Sequence, residues 1–175
     1  MRVKKGLLKG KSIKDSWGAD VRPTTDLAKK GLFDFLHNQV ELPGKTVLDL
    51  FAGSGIISLT FLSLGVSKVT SVDNNKNNCN VLLKYIKENA ITNWEIICAD
   101  VIKRIEESEN KYDIVFADPP YLMNGIHLFK DKALANLVKP GGLFILEHHQ
   151  HLVFPDEDIL TRKQYGKSCF SIFKC

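Results

Sequence analysis

Apolar and polar positions change their spacing in a regular order from Lys45 onward, which predicts strands that alternate with helices. Short apolar runs predict five strands, at residues 46–50, 68–72, 94–98, 112–117 and 143–147. Helical spacing of apolar residues lies between them, at residues 55–64, 76–89, 101–108 and 126–137, and Pro140-Gly141-Gly142 closes the last helix. Strands joined by helices favour right-handed crossovers, so the pattern predicts an α/β fold with a parallel, doubly wound sheet.

The N-terminal part of the chain precedes this alternation. Apolar pairs recur every four residues after Pro23, which predicts an amphipathic helix that ends near Val40, with Pro43-Gly44 as the break behind it. Residues 1–21 mix β-branched and basic residues with glycines, a composition that predicts a short hairpin or an extended arm.

The C-terminal part differs as well, because residues 159–165 and 168–174 flank Gly166-Lys167 and predict a terminal antiparallel hairpin. The chain has 175 residues, of which 44% are hydrophobic and 25% charged, a composition that suits one globular domain. We therefore expect a basic arm over residues 1–21 and a single domain over residues 22–175.

Positive charge is concentrated at the N-terminus. The first 14 residues hold six basic groups and no acidic one, whereas the other 161 residues hold 18 Lys and Arg against 20 Asp and Glu. An arm of this kind is a candidate for contacts with nucleic-acid phosphates, although a merely solvated tail explains the charge equally well. The basic residues of the arm are Arg2, Lys4, Lys5, Lys9, Lys11 and Lys14.

The four cysteines form no C-x-x-C pair and no zinc-like spacing with histidine, so we expect reduced thiols in a cytoplasmic protein and no metal site. The start lacks the apolar core of a signal peptide. The 18 uncharged residues between Asp49 and Lys68 are long enough for a membrane span. A glycine turn divides them, which favours a buried strand followed by a helix.

The turn that divides this run is a candidate ligand loop, because it follows a buried strand and opens a helix. It is incomplete as a dinucleotide fingerprint, since Ser58 stands where the third glycine is expected. The pattern D-x-F-x-G-x-G instead resembles the cofactor loop of S-adenosylmethionine (SAM) methyltransferases that act on amino groups. A turn that binds nothing is the alternative. The candidate cofactor residues of this loop are Asp49, Phe51, Ala52, Gly53, Ser54 and Gly55.

Acidic residues follow the next two strands. Asp73, with Asn74 after it, lies 18 residues beyond Gly55, near the spacing expected for a carboxylate that accepts hydrogen bonds from ribose hydroxyls. Asp100, followed by Val101, could accept a hydrogen bond from the adenine amino group. For both aspartates a helix N-cap is the alternative role.

The segment Asp118-Pro119-Pro120-Tyr121 ends the fourth predicted strand. Two prolines fix the backbone and remove two N–H donors, so the Asp118 carboxylate and the Pro119 carbonyl can both face a site as acceptors. An exocyclic amine needs two such acceptors, and Tyr121 offers a flat face on which a base can stack. We expect direct methyl displacement with no covalent enzyme intermediate. An ordinary proline turn with a surface tyrosine is the alternative.

Together these motifs resemble amino-methyltransferases, and the resemblance becomes specific at Arg22-Pro23-Thr24-Thr25-Asp26, which leads into Gly31-Leu32-Phe33. That segment, an arm carrying Gly10-Lys11 and the closing Tyr165-Gly166-Lys167 are similar to the RsmD-type 16S ribosomal RNA guanine-N2 methyltransferases.

The resemblance implies a Rossmann-like class I methyltransferase fold, with a mostly parallel seven-stranded sheet that ends in the antiparallel hairpin. It also implies SAM as cofactor and, as partner, 16S ribosomal RNA in the small ribosomal subunit or its assembly intermediate. Arg22 and Thr24 would lie near the site, whereas Arg22 alone is typical of a cap or ion-pair partner at the helix start. The chain departs from many members at Trp17-Gly18, where those have proline-rich sequence.

Other functions stay open at this point. A DNA adenine or cytosine amino-methyltransferase shares the Asp118-Pro119-Pro120-Tyr121 chemistry but needs a target-recognition region for which no segment has room. A protein-glutamine methyltransferase, a nicotinamide-dependent oxidoreductase and a catalytically idle RNA-binding factor fit the motifs less well. We expect a monomer, and we expect His148 or His149 at a strand-end surface position without assigned chemistry.

Overall fold

The computed structural model describes residues 3, 6–8, 10, 11, 13, 26–120, 123–155 and 159–175. Over these residues the chain forms five helices around one seven-stranded sheet. The helices are α1 (Asp26–Gln39), α2 (Ile56–Ser63), α3 (Lys76–Glu88), α4 (Val101–Glu107) and α5 (Ile126–Leu137). The strands are β1 (Thr46–Leu50), β2 (Lys68–Asp73), β3 (Trp94–Cys98), β4 (Tyr112–Ala117), β5 (Val138–His149), β6 (Thr161–Tyr165) and β7 (Ser168–Lys174).

The strand order is β3-β2-β1-β4-β5-β7-β6. The first five strands are parallel, whereas β7 pairs antiparallel with both β5 and β6. The order reverses between β1 and β4, and ligands of open α/β sheets bind at the carboxyl ends of the strands at such a point. The predicted parallel sheet with a C-terminal antiparallel hairpin is confirmed.

Strand β5 is longer than predicted. It begins at Val138, directly after α5, so Pro140-Gly141-Gly142 lies inside the strand. The pairing with β4 is irregular at this point, because Tyr112 pairs with Val138 and Ile114 already pairs with Leu143. A Cβ atom on Gly142 would lie 2.8 Å from the Asp113 carbonyl oxygen, so only glycine lets the two backbones approach this closely.

Helices cover both faces of the sheet. Helices α1, α2 and α3 pack on one face, in a core cluster that contains Leu32, Phe61 and Leu82. Helices α4 and α5 pack on the other face, with Ile105 and Phe129. All eight residues of α2 are buried, which explains its uncharged sequence. None of the described helices combines the length and the apolar composition that a membrane crossing would need.

Described residues of the N-terminal arm pack at the amino edge of the sheet, the edge at which the parallel strands begin. Val3 and Ile13 belong to the core cluster of α1, α2 and α3. The Leu7 N–H donates to the carbonyl of Ser63, the last residue of α2, at 2.8 Å. The Val3 N–H donates to the Lys11 carbonyl at 2.9 Å, a pairing consistent with the predicted hairpin. These contacts fix that part of the arm against the end of α2.

Candidate active site

The glycine loop and the proline motif start side by side at the carboxyl edge, the edge at which the parallel strands end. Leu50, the last residue of β1, pairs with Ala117, the last residue of β4. Neighbouring strands lie about 5 Å apart, so Phe51 and Asp118 leave the sheet as close neighbours. Two motifs that are 63 positions apart in sequence, counted from Gly55 to Asp118, are thereby brought to one place.

The glycine loop has a left-handed backbone at three positions, with φ of 62° at Phe51, 50° at Gly53 and 67° at Gly55. A positive φ is unfavourable for a bulky residue such as Phe51, and such strain persists only where the surroundings enforce it. The Phe51 ring packs 5.8 Å from that of Phe129, and the Ala52 N–H donates to the Val72 carbonyl at 3.0 Å. These contacts hold the loop in one shape.

Gly55 has a second reason to be glycine. A Cβ atom there would lie 2.5 Å from Leu82 Cδ2 and 3.1 Å from the Trp94 ring. The residue therefore lets the loop pack directly on α3 and β3, in addition to allowing its φ.

Asp73 supports the glycine loop directly. Its Oδ2 accepts the Gly53 N–H at 2.7 Å and its Oδ1 accepts the Asn75 N–H at 2.8 Å. The N-cap of α3 is Asn75, whose side chain accepts from the N–H groups of Asn77 and Asn78, so an N-cap role for Asp73 is wrong. Asn74 is exposed at the same edge.

Asp100 is the N-cap of α4. Its Oδ1 accepts the Ile102 N–H at 2.9 Å and the Lys103 N–H at 3.1 Å, which confirms the capping role. Val101 is the first helical residue and is buried. Capping occupies Oδ1 only, so a hydrogen bond from a ligand to Oδ2 is compatible with the cap.

A buried polar network underlies the glycine loop. Asp49 is 1% exposed, and its Oδ2 accepts the Ser58 hydroxyl at 2.5 Å. The Ser58 and Ser71 hydroxyls are 2.6 Å apart, and the Trp94 Nε1–H donates to Ser71 Oγ at 2.8 Å. Burial raises the pKa of Asp49 to about 7, and nearby Asp73 adds to the rise. The sequence motifs did not predict this network, although Ser58 in place of the third glycine was its visible sign.

The proline motif forms the other half of the site. Asp118 is half-buried, Pro119 is buried and Pro120 is exposed. The Met123 N–H donates to the Pro120 carbonyl at 2.9 Å. The predicted backbone acceptor is the carbonyl of the preceding residue, Pro119. Tyr121, the predicted stacking residue, lies outside the described residues.

Strand β5 contributes residues to this edge that belong to none of the predicted motifs. Ala117 pairs with Leu146, so Glu147 is level with Asp118 on the same face of the sheet, and it is 2% exposed. In the sequence, Glu147 is visible as an acidic residue at the end of an apolar run. His148 is 4% exposed and hydrogen-bonds Ser171 Oγ through Nε2 at 2.8 Å, so the predicted surface position is wrong for His148. Its burial lowers the pKa of the imidazole.

Among the predicted RNA-binding residues only Lys11 is described. Its Nζ donates to Asn89 Oδ1 at 3.2 Å, at the C-terminal end of α3 and therefore at the amino edge. Helix α3 has 13 residues, so Lys11 lies on the order of 20 Å from the carboxyl edge. The others lie outside the described residues: Arg2, Lys4, Lys5, Lys9, Arg22 and Thr24.

The described residues contain no group of three or more His, Cys, Asp or Glu side chains placed to hold a metal ion. All four cysteines are free thiols, two of them buried.

Known proteins resemble the chain over nearly its whole length. A family described as "Conserved hypothetical protein 95" matches residues 1–174. Ribosomal RNA small subunit methyltransferase D of Buchnera aphidicola is 31% identical over 166 residues, which are 91% of this chain and 84% of that protein.

Solved structures share the fold of this chain. A hypothetical protein of Thermus thermophilus superposes with a TM-score of 0.87 at 25% identity, over 100% of this chain and 99% of that one. The Thermus thermophilus 16S rRNA N2 G1207 methyltransferase, solved with AdoMet and guanosine, has a TM-score of 0.69 at 23% identity, over 89% of this chain and 44% of that one, and supports the fold. The chain therefore belongs to the RsmD-type family of SAM-dependent ribosomal RNA methyltransferases.

Proposed function

We propose that the protein transfers the methyl group of SAM to the exocyclic N2 of a guanine in 16S ribosomal RNA. The observation that carries this proposal is the pairing of Leu50 with Ala117, because it places the glycine loop beside Asp118 at the carboxyl edge. A cofactor bound by the loop and a base held by the proline motif would then meet at one point. The geometry supports a group transfer between two bound partners.

The described residues fit the cofactor. The Asp73 carboxylate holds the glycine loop through Gly53, and Asn78 Nδ2 donates to both of its oxygens at 3.4 Å. We propose that a ribose hydroxyl takes the place of these long Asn78 bonds when the cofactor binds. Asp100 can accept from an adenine amino group through Oδ2 while Oδ1 caps α4. When bound, SAM supplies a methyl group made electrophilic by its sulfonium. Ser54 and Asn74 lie at the same edge. Together with Val101 they are further residues of the proposed cofactor site.

Asp118 and the Pro119 carbonyl would orient the acceptor amine. Its lone pair is delocalised into the base, and two hydrogen bonds that take up its hydrogens help the nitrogen become pyramidal and nucleophilic. The proton then passes to Asp118 or to water. The target guanine must be unpaired or flipped out to reach this position, and stacking on Tyr121 remains a prediction.

No covalent intermediate is required. Burial raises the pKa of the Cys79 thiol to about 12, with a further contribution from neighbouring Cys98. A thiol with so high a pKa is not a nucleophile at neutral pH, because only the thiolate reacts. Direct transfer from cofactor to amine needs no nucleophile from the protein.

The names of the relatives guide the choice of substrate. The Buchnera protein is named for the small ribosomal subunit, and the Thermus enzyme was solved with guanosine. We extend both features to this chain, and propose that it acts as a cytoplasmic monomer on 16S RNA within the small subunit or its assembly intermediate.

One experiment tests the proposal. The protein is incubated with SAM labelled in the methyl group and with small subunits, naked 16S RNA or duplex DNA, and the digested nucleosides are identified. We expect labelled N2-methylguanosine from one of the RNA substrates. N6-methyladenine or a methylated cytosine would identify a DNA-type amino-methyltransferase. Cofactor binding without incorporation into any substrate would indicate an idle RNA-binding factor.

A further inference from the structure

The turn of the C-terminal hairpin lies at the same edge of the sheet as Asp118. His149, at the end of β5, pairs with Ser168, and Ser168 also pairs with Tyr165 across the turn. The Gln150 N–H donates to the Lys167 carbonyl at 3.2 Å. The turn and the segment after β5 are therefore side by side.

Two further hydrogen bonds fix these segments to each other, and a third lies within the turn. Arg162 donates through Nη2 to the Gln150 carbonyl at 2.7 Å. Gln164 donates through Nε2 to Gln150 Oε1 at 3.0 Å and to the Gly166 carbonyl at 3.1 Å. The segment after β5 is thus held by the hairpin in a defined position.

The surface formed in this way combines flat rings with positive charge. The rings of His149 and His151 lie 4.7 Å apart with an angle of 36° between their planes, and His151 is exposed. Lys167 is exposed beside them. Residues 159–175 contain four basic and no acidic residues, although the acidic segment 156–158 precedes them in the sequence. We name the set His149, His151, Arg162 and Lys167 the hairpin surface.

The hairpin surface is close to the acceptor half of the site. Glu147 is level with Asp118, so His149 is two residues further along the neighbouring strand. At strand spacings of about 5 Å and a rise of about 3.3 Å per residue, the Cα atoms of Asp118 and His149 are roughly 8 Å apart. An RNA strand that presents a base to Asp118 would pass over this surface.

We infer that the hairpin surface binds the RNA strand next to the target base, with Lys167 on a phosphate and the His149 and His151 rings against a flanking base. Cations on phosphates and flat side chains on unpaired bases are the usual means of binding single-stranded RNA. The inference rests on the proposed function, since it assigns a contact to the RNA of that reaction.

The test compares Lys167→Glu and His151→Ala with Lys174→Glu. Lys174 is an exposed residue of the same hairpin at its other end, where it pairs with Leu143 at the amino edge, so its variant makes the same charge change away from Asp118. Binding of a fluorescein-labelled single-stranded RNA oligonucleotide is measured by anisotropy over a series of salt concentrations. Methylation of small subunits or 16S RNA is measured in parallel, together with SAM affinity.

We expect Lys167→Glu to weaken oligonucleotide binding roughly 10-fold and to reduce the magnitude of the salt slope by about 0.7, the value for one phosphate contact on a single strand. His151→Ala should weaken binding about 5-fold or more. The KM for RNA should rise in both variants, with kcat and SAM affinity close to those of the wild type. Lys174→Glu should behave as the wild type.

Equal weakening by all three variants would indicate diffuse electrostatics and would overturn the inference, as would wild-type binding by Lys167→Glu and His151→Ala. Failure of the proposed function looks different, because the wild-type protein itself would then methylate no guanosine in RNA. If the wild type methylates RNA and neither Lys167→Glu nor His151→Ala weakens RNA binding, the inference about the hairpin surface is refuted and the proposed function is not.

Discussion

Strand β4 has an aspartate at each end, and the two differ in what surrounds them. Asp113, at the amino edge, accepts the Thr46 N–H at 2.9 Å, the Thr46 hydroxyl at 2.7 Å and the Lys139 ammonium at 2.9 Å. Its partial burial opposes ionisation, but these bonds outweigh it and hold the pKa of the carboxyl well below its usual range. Asp118, just beyond the carboxyl end, lies instead beside the glycine loop and level with buried Glu147.

The two aspartates show that stabilising polar contacts and the candidate catalytic group lie at opposite edges of the sheet. At the amino edge a carboxylate is matched with a cation and fixes strands to each other. At the carboxyl edge Asp49 is buried close to Asp73, an arrangement that costs stability because burial disfavours the charged form. Costly polar groups are typical of functional sites. Changes at Asp118 should therefore alter activity, and changes at Asp113 should alter stability.

Asp118→Ala should have the largest effect. If Asp118 is a positioned acceptor or base, kcat should fall roughly 10²- to 10⁴-fold, while SAM affinity stays near the wild-type value. Methyl incorporation into the RNA substrate under saturating conditions measures this.

Asp113→Ala is the matched control for that variant, because it removes a carboxylate from the other end of the same strand. We expect its kcat to be unchanged. Near-wild-type turnover of Asp118→Ala would remove the proposed role, and equal loss of turnover in both variants would abolish the distinction between the two edges.

The second largest effect should be the pH dependence that Asp49 adds to stability. Its pKa rises from 3.8 to about 7 on folding, so the stability that it contributes is fully present below pH 4 and is lost as pH rises towards 7. Linkage predicts that this one group removes about 2.5 kcal/mol from the free energy of unfolding between pH 5 and pH 7.5.

Asp49→Asn should abolish that part of the pH dependence, because an amide does not titrate while its oxygen can still accept the Ser58 hydroxyl. Urea unfolding of the variant and the wild type at pH 5, 6, 7 and 7.5 measures the difference. Parallel curves for the two proteins would show that Asp49 titrates as it does in the unfolded chain.

Much of this arrangement could be predicted from the sequence, because it depends on local patterns. Apolar runs and glycine turns gave the strand positions to within about two residues, except at β5. There Pro140-Gly141-Gly142 is a usual helix terminator, and only the close approach of Gly142 to Asp113 shows why the strand continues through it. The motif residues Asp73, Asp100 and Asp118 were identified because each lies at a strand end or within two residues after it.

The remainder depends on contacts between distant parts of the chain. The bond of Ser58 to Asp49, the burial of Glu147 and the position of Lys11 at Asn89 require the register of the sheet and the packing of helices, which no local pattern contains. The choice between a cap and a ligand contact for Asp73 and Asp100 likewise needed the positions of particular N–H groups.

Asp113→Ala should rank third, with a loss of about 2 kcal/mol in the free energy of unfolding, because the Thr46 N–H and the Lys139 ammonium lose their acceptor. Folding lowers the pKa of Asp113, so the stability that this group contributes is present above about pH 4 and is lost as pH falls below that value. The free energy of unfolding of the variant should therefore decrease less in acid than that of the wild type. Urea unfolding between pH 2.5 and pH 7 measures both effects. Lys139→Met, which keeps the Thr46 bonds, should cost less, and a larger loss than in Asp113→Ala would show that the ion pair rather than Thr46 dominates.

The smallest effect tests how firmly the arm is fixed to the amino edge. Gly6 and Gly10 both have a left-handed backbone, with φ of 80° and 85°. A Cβ atom on Gly6 would overlap the Ser63 carbonyl oxygen, whereas one on Gly10 would meet nothing within 4 Å. Both Ala variants carry the same backbone strain of about 1–2 kcal/mol. Because of the overlap with Ser63, Gly6→Ala should cost about 1 kcal/mol more than Gly10→Ala.

Faster hydrogen exchange at the Leu7 amide, which bonds to the Ser63 carbonyl, should accompany the loss in Gly6→Ala alone. Equal exchange in both variants would mean that the arm is not held by Ser63, and a lower kcat in Gly6→Ala would show that the amino edge also serves the chemistry.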